Sequence, residues 1–220
     1  MTDAETPEPP VPETPKNRRP LTSRNTAWAR GLTERAIKAG LTPNQISRLG
    51  IGFAVLGAVF FAVSPYGPGI LQWLCLLLAA ATCQARLVCN LIDGMVAVEG
   101  GAGEKDGSFW NEAPDRLSDL FFFIGAGLAA GNLALGTLVA ALAIAAAYIR
   151  ELGRAEGFAP DFSGPMAKQH RMAALTIGSV IAAFYGGDWT LAWVLWIIAA
   201  GTALTILSRS VRLIGLLKAQ

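Results

Sequence analysis

Residues 90–119 read NLIDGMVAVEGGAGEKDGSFWNEAPDRLSD and join two long apolar runs, placing carboxylates and amides at the facing ends of both. Hydrocarbon on either side makes such groups costly, so they need a job. On the upstream run, Asn90, Asp93 and Ala97 fall at i, i+3 and i+7, one face of a helix with 3.6 residues per turn. Downstream, Asn111, Asp115 and Asp119 fall at i, i+4 and i+8 and also share a face. Between them, Gly94, Gly100, Gly101, Gly103 and Gly107 permit tight turns and close approach of backbone to a ligand. Two helix ends joined by such a loop pool oxygen donors on one spot, as a hard cation such as Mg2+ requires.

The spacing resembles the signature of the CDP-alcohol phosphotransferases, D-x2-D-G-x2-A-R-x8-G-x3-D-x3-D. In register, Asn90 stands at the first aspartate, Asp93 and Gly94 at the Asp-Gly pair, Ala97 at the alanine and Val98 at the arginine. Gly107 then matches the glycine, Asn111 stands at the third aspartate and Asp115 matches the fourth. Every gap is kept, while three of the eight specified residues differ.

The resemblance implies a membrane transferase of phospholipid biosynthesis. It would move a phosphatidyl-type group from a CDP-alcohol, CDP-diacylglycerol above all, to a small polar alcohol with release of CMP. It also implies Mg2+ or Mn2+ as cofactor and a homodimer. Carried over by position, Asn90, Asp93, Asn111 and Asp115 would hold metal, and Asp93, Gly94, Ala97 and Gly107 would receive the nucleotide. Asp115 would accept the acceptor's hydroxyl proton or complete the metal shell, two roles that exclude each other for one oxygen. The departures matter: asparagine offers a carbonyl oxygen without charge, leaving two formal negative charges where the family has four. Metal affinity should fall, and one ion could replace the pair that the family implies. Glu99, Glu104, Asp106 and Glu112 are close enough in sequence to restore charge, and Val98 removes a cation that could meet phosphate. The alternative is a degenerate relative that binds lipid or nucleotide-lipid without catalysis.

Working outward, a composition 53% hydrophobic and a mean hydropathy of +0.43 suit one all-α polytopic membrane domain rather than a soluble one. Six apolar runs near the ~20 residues needed to cross a bilayer are expected at Gln45–Val63, Ile70–Val98, Phe109–Ala130, Leu133–Leu152, Met172–Tyr185 and Trp189–Leu207. The connections after the first, third and fifth carry no Lys or Arg, so the positive-inside rule places both termini and the two longer loops in the cytoplasm, in an inner membrane. A small transporter would share only this helix count. No nucleic-acid partner is expected, and the net charge of +2 hides a strong asymmetry along the chain.

Ahead of the bundle, residues 1–20 read as a disordered acidic, Pro-rich tail, residues 21–40 as an interfacial amphipathic helix, and residues 41–220 as the six-helix domain. No apolar h-region follows the start, so no cleavable signal peptide is expected. Trp28 with Arg24, Arg30, Arg35 and Lys38 suits an anionic leaflet, membrane lipids being partners in their own right. Thr42-Pro43-Asn44-x-Ile46-Ser47 is similar to the start of the first membrane helix in the same family, with Thr42 as cap and Pro43 in the first turn. Cys75, Cys83 and Cys89 form no CxxC pair and read as structural thiols.

Two further expectations concern charge. Arg86 lies about 10 Å below Asp93, and Asp119 about 12 Å below Asn111, which predicts an Arg86–Asp119 pair pinning the two helices; the rival reading makes Asp119 a further ligand or outer-shell acid. Gly164-x3-Lys168-x2-Arg171 resembles the family's basic loop after the fourth helix. Arg150, Lys168 and Arg171 are therefore acceptor-binding candidates, suited to a phosphorylated head, although ordinary anchoring to lipid head groups would also explain them. His170 reads as a satisfied loop residue, and Arg209, Arg212 and Lys218 as membrane anchors.

Overall fold

A computed structural model of the chain describes residues 26–67, 69–101 and 106–219. Among these the secondary structure is helical throughout: α1 (Ala27–Lys38), α2 (Pro43–Val63), α3 (Gly69–Glu99), α4 (Gly107–Ala129), α5 (Leu133–Ala155), α6 (Lys168–Tyr185) and α7 (Gly187–Lys218). The expected tail and the Glu104 carboxylate lie outside the described residues.

Local chemistry sets the helix ends. Thr42 caps α2 by a capping box in which its hydroxyl accepts from the Gln45 N–H at 3.3 Å and its own N–H donates to Gln45 Oε1 at 3.0 Å. Pro43 occupies the first turn, where its missing N–H costs nothing. At the other end of the bundle, α4 turns into α5 through Gly131, whose φ of +63° suits a residue without Cβ, and Asn132 caps α5 by accepting from the Leu135 N–H.

The helices close a ring in which α2 packs on α3 and α4, α4 on α5, α5 on α7, α7 on α6 and α6 on α3. α2 therefore wedges between the two helices that carry the signature. The ring's interior is filled by Phe61, Leu76, Phe122, Phe123, Leu175 and Leu195, each fully buried. α1 lies against α3 through Ala29, Thr33 and Ala36, with Trp28 left exposed. Small residues let α4 and α5 cross tightly: a Cβ at Gly136 would sit 2.4 Å from the Phe123 carbonyl oxygen, which is backbone and cannot yield. Gly136→Ala should therefore cost about 1–3 kcal/mol, read as a lowered unfolding midpoint in detergent. Gly31→Ala, where a Cβ meets nothing within 4 Å, should not lower it.

α2, α3, α5 and α7 are long and apolar enough to cross a membrane. This makes the chain an integral membrane protein. α4 and α6 fall outside that set because their polar turns hold Glu112, Asp115, Arg116 and Asp119, and Lys168 and Arg171. Two boundaries differ from the apolar runs. α6 begins at Lys168 rather than near Met172, and α7 continues past Leu207 to Lys218, because a helix can run on beyond its hydrocarbon stretch where its polar turns find partners.

Candidate functional site

The signature residues gather where α3 ends and α4 begins. Asp93 is buried on α3, and its Oδ2 accepts from the Ser47 hydroxyl of α2 at 2.7 Å. Asn90 lies about one turn deeper and half-buried, Gly94 and Ala97 are half-buried on the same helix, and Val98 is exposed. Gly107 opens α4, and a Cβ there would meet nothing within 4 Å. Asn111 is exposed, and Asp115 is buried one turn further in. Among the described residues Asp93 itself forms no ion pair.

Asp115 is the meeting point of two cations. Arg86 Nη2 donates to its Oδ1 at 2.7 Å, and the Lys168 ammonium contacts the same oxygen. Arg86 also donates through Nε to the Ser118 hydroxyl at 2.7 Å, and its side chain lies against Gly50 of α2, where a Cβ would come within 3.0 Å of Cδ. Asp119, fully buried, takes Arg171 Nη2 at 3.2 Å. The expected Arg86–Asp119 pair is thus replaced by Arg86–Asp115 and Arg171–Asp119. Rise per residue fixes the depth of a Cα but not where a long guanidinium reaches, and α6 brings a cation of its own to Asp119.

Two of the acids expected to restore charge, Glu112 and Asp106, are engaged elsewhere, and Glu99 is exposed. Glu112 pairs with Arg116 and Arg150. Asp106 is exposed and accepts from Trp110 Nε1 at 2.8 Å and from Asn44 Nδ2 at 3.0 Å, and the Trp110 indole holds its carboxyl below the usual carboxylate range, with Asn44 and Arg48 helping. Arg48 lies 4.5 Å over the Trp110 ring. Asn44 and Ser47, which sequence reasoning did not single out, come from the Thr-Pro-Asn-x-Ile-Ser motif. That motif read as a helix start proves to be also a wall of the site.

Behind Asp115 a narrow cleft between α4, α5, α6 and α7 is lined by Arg116, Arg150, Lys168, Arg171, Arg209 and Phe162. The three expected acceptor residues therefore do meet, although Lys168 and Arg171 stand on the first turn of α6 and not in a loop. Arg116 and Arg209 are additions. Arg209 is 6% exposed and donates to the Ser163 and Ala146 carbonyls at 2.9 and 2.8 Å, so it is no surface anchor. Its signal was the continuation of α7, which the apolar run did not show. His170 is exposed, with a ring nitrogen on the Pro165 carbonyl. The three cysteines are free and buried.

No family model matches the chain. Among curated proteins it is 28% identical over 190 residues to the phosphatidylinositol phosphate synthase of Mycolicibacterium smegmatis, covering 82% of this chain and 81% of that one. The same enzyme of Mycobacterium tuberculosis is 25% identical over 193 residues, covering 84% and 82%. Among solved structures, M. tuberculosis phosphatidylinositol phosphate synthase with CDP-DAG bound superposes with a TM-score of 0.71 at 20% identity, covering 86% of this chain and 94% of that one. The chain shares that enzyme's fold. The same synthase in complex with manganese and citrate gives a TM-score of 0.70, also at 20% identity, over 84% and 88% of the two chains. These synthases share with the chain both sequence, over four-fifths of its length, and the helical architecture described above.

Proposed function

We propose that the chain transfers a phosphatidyl group from CDP-diacylglycerol to a phosphorylated polyol of the inositol phosphate class, releasing CMP. The observation that carries the reading is that Asp115, in a kept signature spacing with Asp93, is held by Arg86 of the helix that bears Asp93 and by Lys168 of a cleft lined by five cations. Similarity to phosphatidylinositol phosphate synthases supports the choice of acceptor.

The donor set fits a hard divalent ion: two carboxylates and two amide carbonyls, all oxygen. Asp93 supports this further, since a buried carboxylate in an apolar bundle without an ion-pair partner calls for a cation. Asp93, Asn90, Asn111 and Asp115 would hold one Mg2+ or Mn2+, which neutralises charge on the phosphoryl oxygens and on departing CMP. Gly94, Ala97 and Gly107 leave room for the nucleotide. Arg150, Lys168 and Arg171, joined by Arg116 and Arg209, hold the acceptor's phosphate and present its hydroxyl to the donor. A bond forms between that oxygen and the phosphorus bearing diacylglycerol, the bond from that phosphorus to CMP breaks, and the hydroxyl proton leaves to water, since Asp115, with Arg86 and Lys168 on Oδ1, gives its other oxygen to the metal shell. We read α4 and α6 as completing six spans, α1 as lying at the interface, and the site and both termini as facing the cytoplasm of a homodimer.

Purified protein with radiolabelled CDP-diacylglycerol, Mn2+ and a panel of inositol phosphate, glycerol 3-phosphate, inositol and serine tests this. CMP release with inositol phosphate alone supports it, and release only with an unphosphorylated acceptor overturns it. Loss of charge at Asn90 and Asn111, with two cations already on Asp115, favours a second reading: a non-catalytic binder of nucleotide-lipid. Donor binding without release across the whole panel would select it. Ser47→Ala should weaken Mn2+ about tenfold by freeing the Asp93 carboxylate to rotate, read by titration of bound metal.

A further inference from the structure

A second cavity, of about 290 Å³, opens between the ends of α5 and α7 beneath the loop that joins α5 to α6. Its cationic side is Arg150, Arg209 and Arg212, and its apolar side is Ile149, Leu213 and Leu216. One lining acid, Asp161, opposes the three cations. Burial pushes its carboxyl up, but the Ser163 hydroxyl and N–H together with Arg212 outweigh that and hold it below the usual range, so it counts as one negative charge. The lining therefore carries a surplus of positive charge. Glu112 and Glu151 bind Arg150 from beyond the lining. Arg212 spends Nε on Asp161 Oδ2 at 2.9 Å and Nη2 on the Ser163 hydroxyl at 2.7 Å, and among the described residues Nη1 has no protein acceptor. Arg209, nine-tenths buried, is a fixed post in the wall.

A cavity half cationic and half aliphatic at the basic end of a membrane bundle matches an amphiphile more closely than a free ion. We propose that it binds a phosphate anion carried by a lipid, the head group of an anionic phospholipid, with the phosphate on Arg209 and Arg212 and the first chain carbons on Leu213 and Leu216. The site is separate from the cleft of the proposed reaction but shares Arg150 and Arg209 with it, so its occupant touches the same wall from behind.

The full chain in zwitterionic nanodiscs, titrated with dihexanoyl phosphatidylglycerol, dihexanoyl phosphatidylcholine or inorganic phosphate and followed by its thermal midpoint, tests the proposal. Arg212 and Leu216 line this cavity and not the cleft of the proposed reaction, and each is about half exposed, so their replacement leaves the core intact. Phosphatidylglycerol should raise the midpoint where phosphatidylcholine does not, and Arg212→Gln should raise its half-saturating concentration about tenfold. Leu216→Ser should weaken the lipid and spare inorganic phosphate. Inorganic phosphate binding as tightly as the lipid, with the same response to Arg212→Gln, keeps the anion site and makes its source soluble. Equal responses of wild type and Arg212→Gln to every probe, or equal binding of both lipids, would overturn it.

Discussion

Asp93→Ala should reduce CMP release by at least about a hundredfold and abolish the electron paramagnetic signature of bound Mn2+. The expectation rests on charge rather than on the motif alone. Asp93 is buried in a bundle with hydrocarbon around it, has a single hydroxyl donor in Ser47, and forms no ion pair among the described residues. Removing it takes away one of only two carboxylates in the set, and the amides of Asn90 and Asn111 cannot compensate. Asp93→Asn should behave almost as badly, since it keeps the shape and discards the charge. In wild type, metal titration should stop at one Mn2+ per chain, because Asp115 is already balanced by Arg86 and Lys168. Turnover that survives Asp93→Ala would remove the proposed centre.

Arg86→Met should have the largest effect on stability, about 3–5 kcal/mol. Arg86 is 2% exposed, and its loss strips Asp115 of one cation and Ser118 of its donor partner. The cost comes from the carboxylate left behind in a poorly hydrated place rather than from the contact itself. The triple variant Arg86→Met, Asp115→Leu and Lys168→Met, which also removes the second cation held by Asp115, should therefore recover much of the stability while remaining inactive. Chemical unfolding in detergent separates the two outcomes: a triple variant no more stable than Arg86→Met would locate the cost in packing against Gly50 instead.

Much of this architecture was legible before any coordinates. The apolar runs found the positions of α2 to α7, of which α2, α3, α5 and α7 have the apolarity of a span, Thr42 and Pro43 marked the start of α2, and the kept spacing drew attention to Asp93 and Asp115. What sequence could not supply was reach. Arg86 chose Asp115 over Asp119 because its guanidinium extends far from its Cα while α6 offers Arg171 to Asp119. Nor did hydropathy show that Lys168 and Arg171 begin a helix, or that Arg209 lies inside one, since an apolar run ends where charge begins although the hydrogen-bonded backbone does not. Ser47 was hidden for a different reason: a short helix-start motif looks complete once its cap is explained.

The pairing of α4 with α6 has a consequence for biogenesis. Neither helix has the apolarity of a free-standing span, and each holds what the other lacks: Asp115 meets Lys168, and Asp119 meets Arg171. As the nascent chain emerges, α4 carries a carboxylate whose counter-charge is still some fifty residues from synthesis, Asp119 and Arg171 being 52 positions apart. With α4 and α6 read as spans, the bundle is expected not to settle one helix at a time: α4 should wait at the insertion machinery, or be shielded there, until α6 arrives to join it.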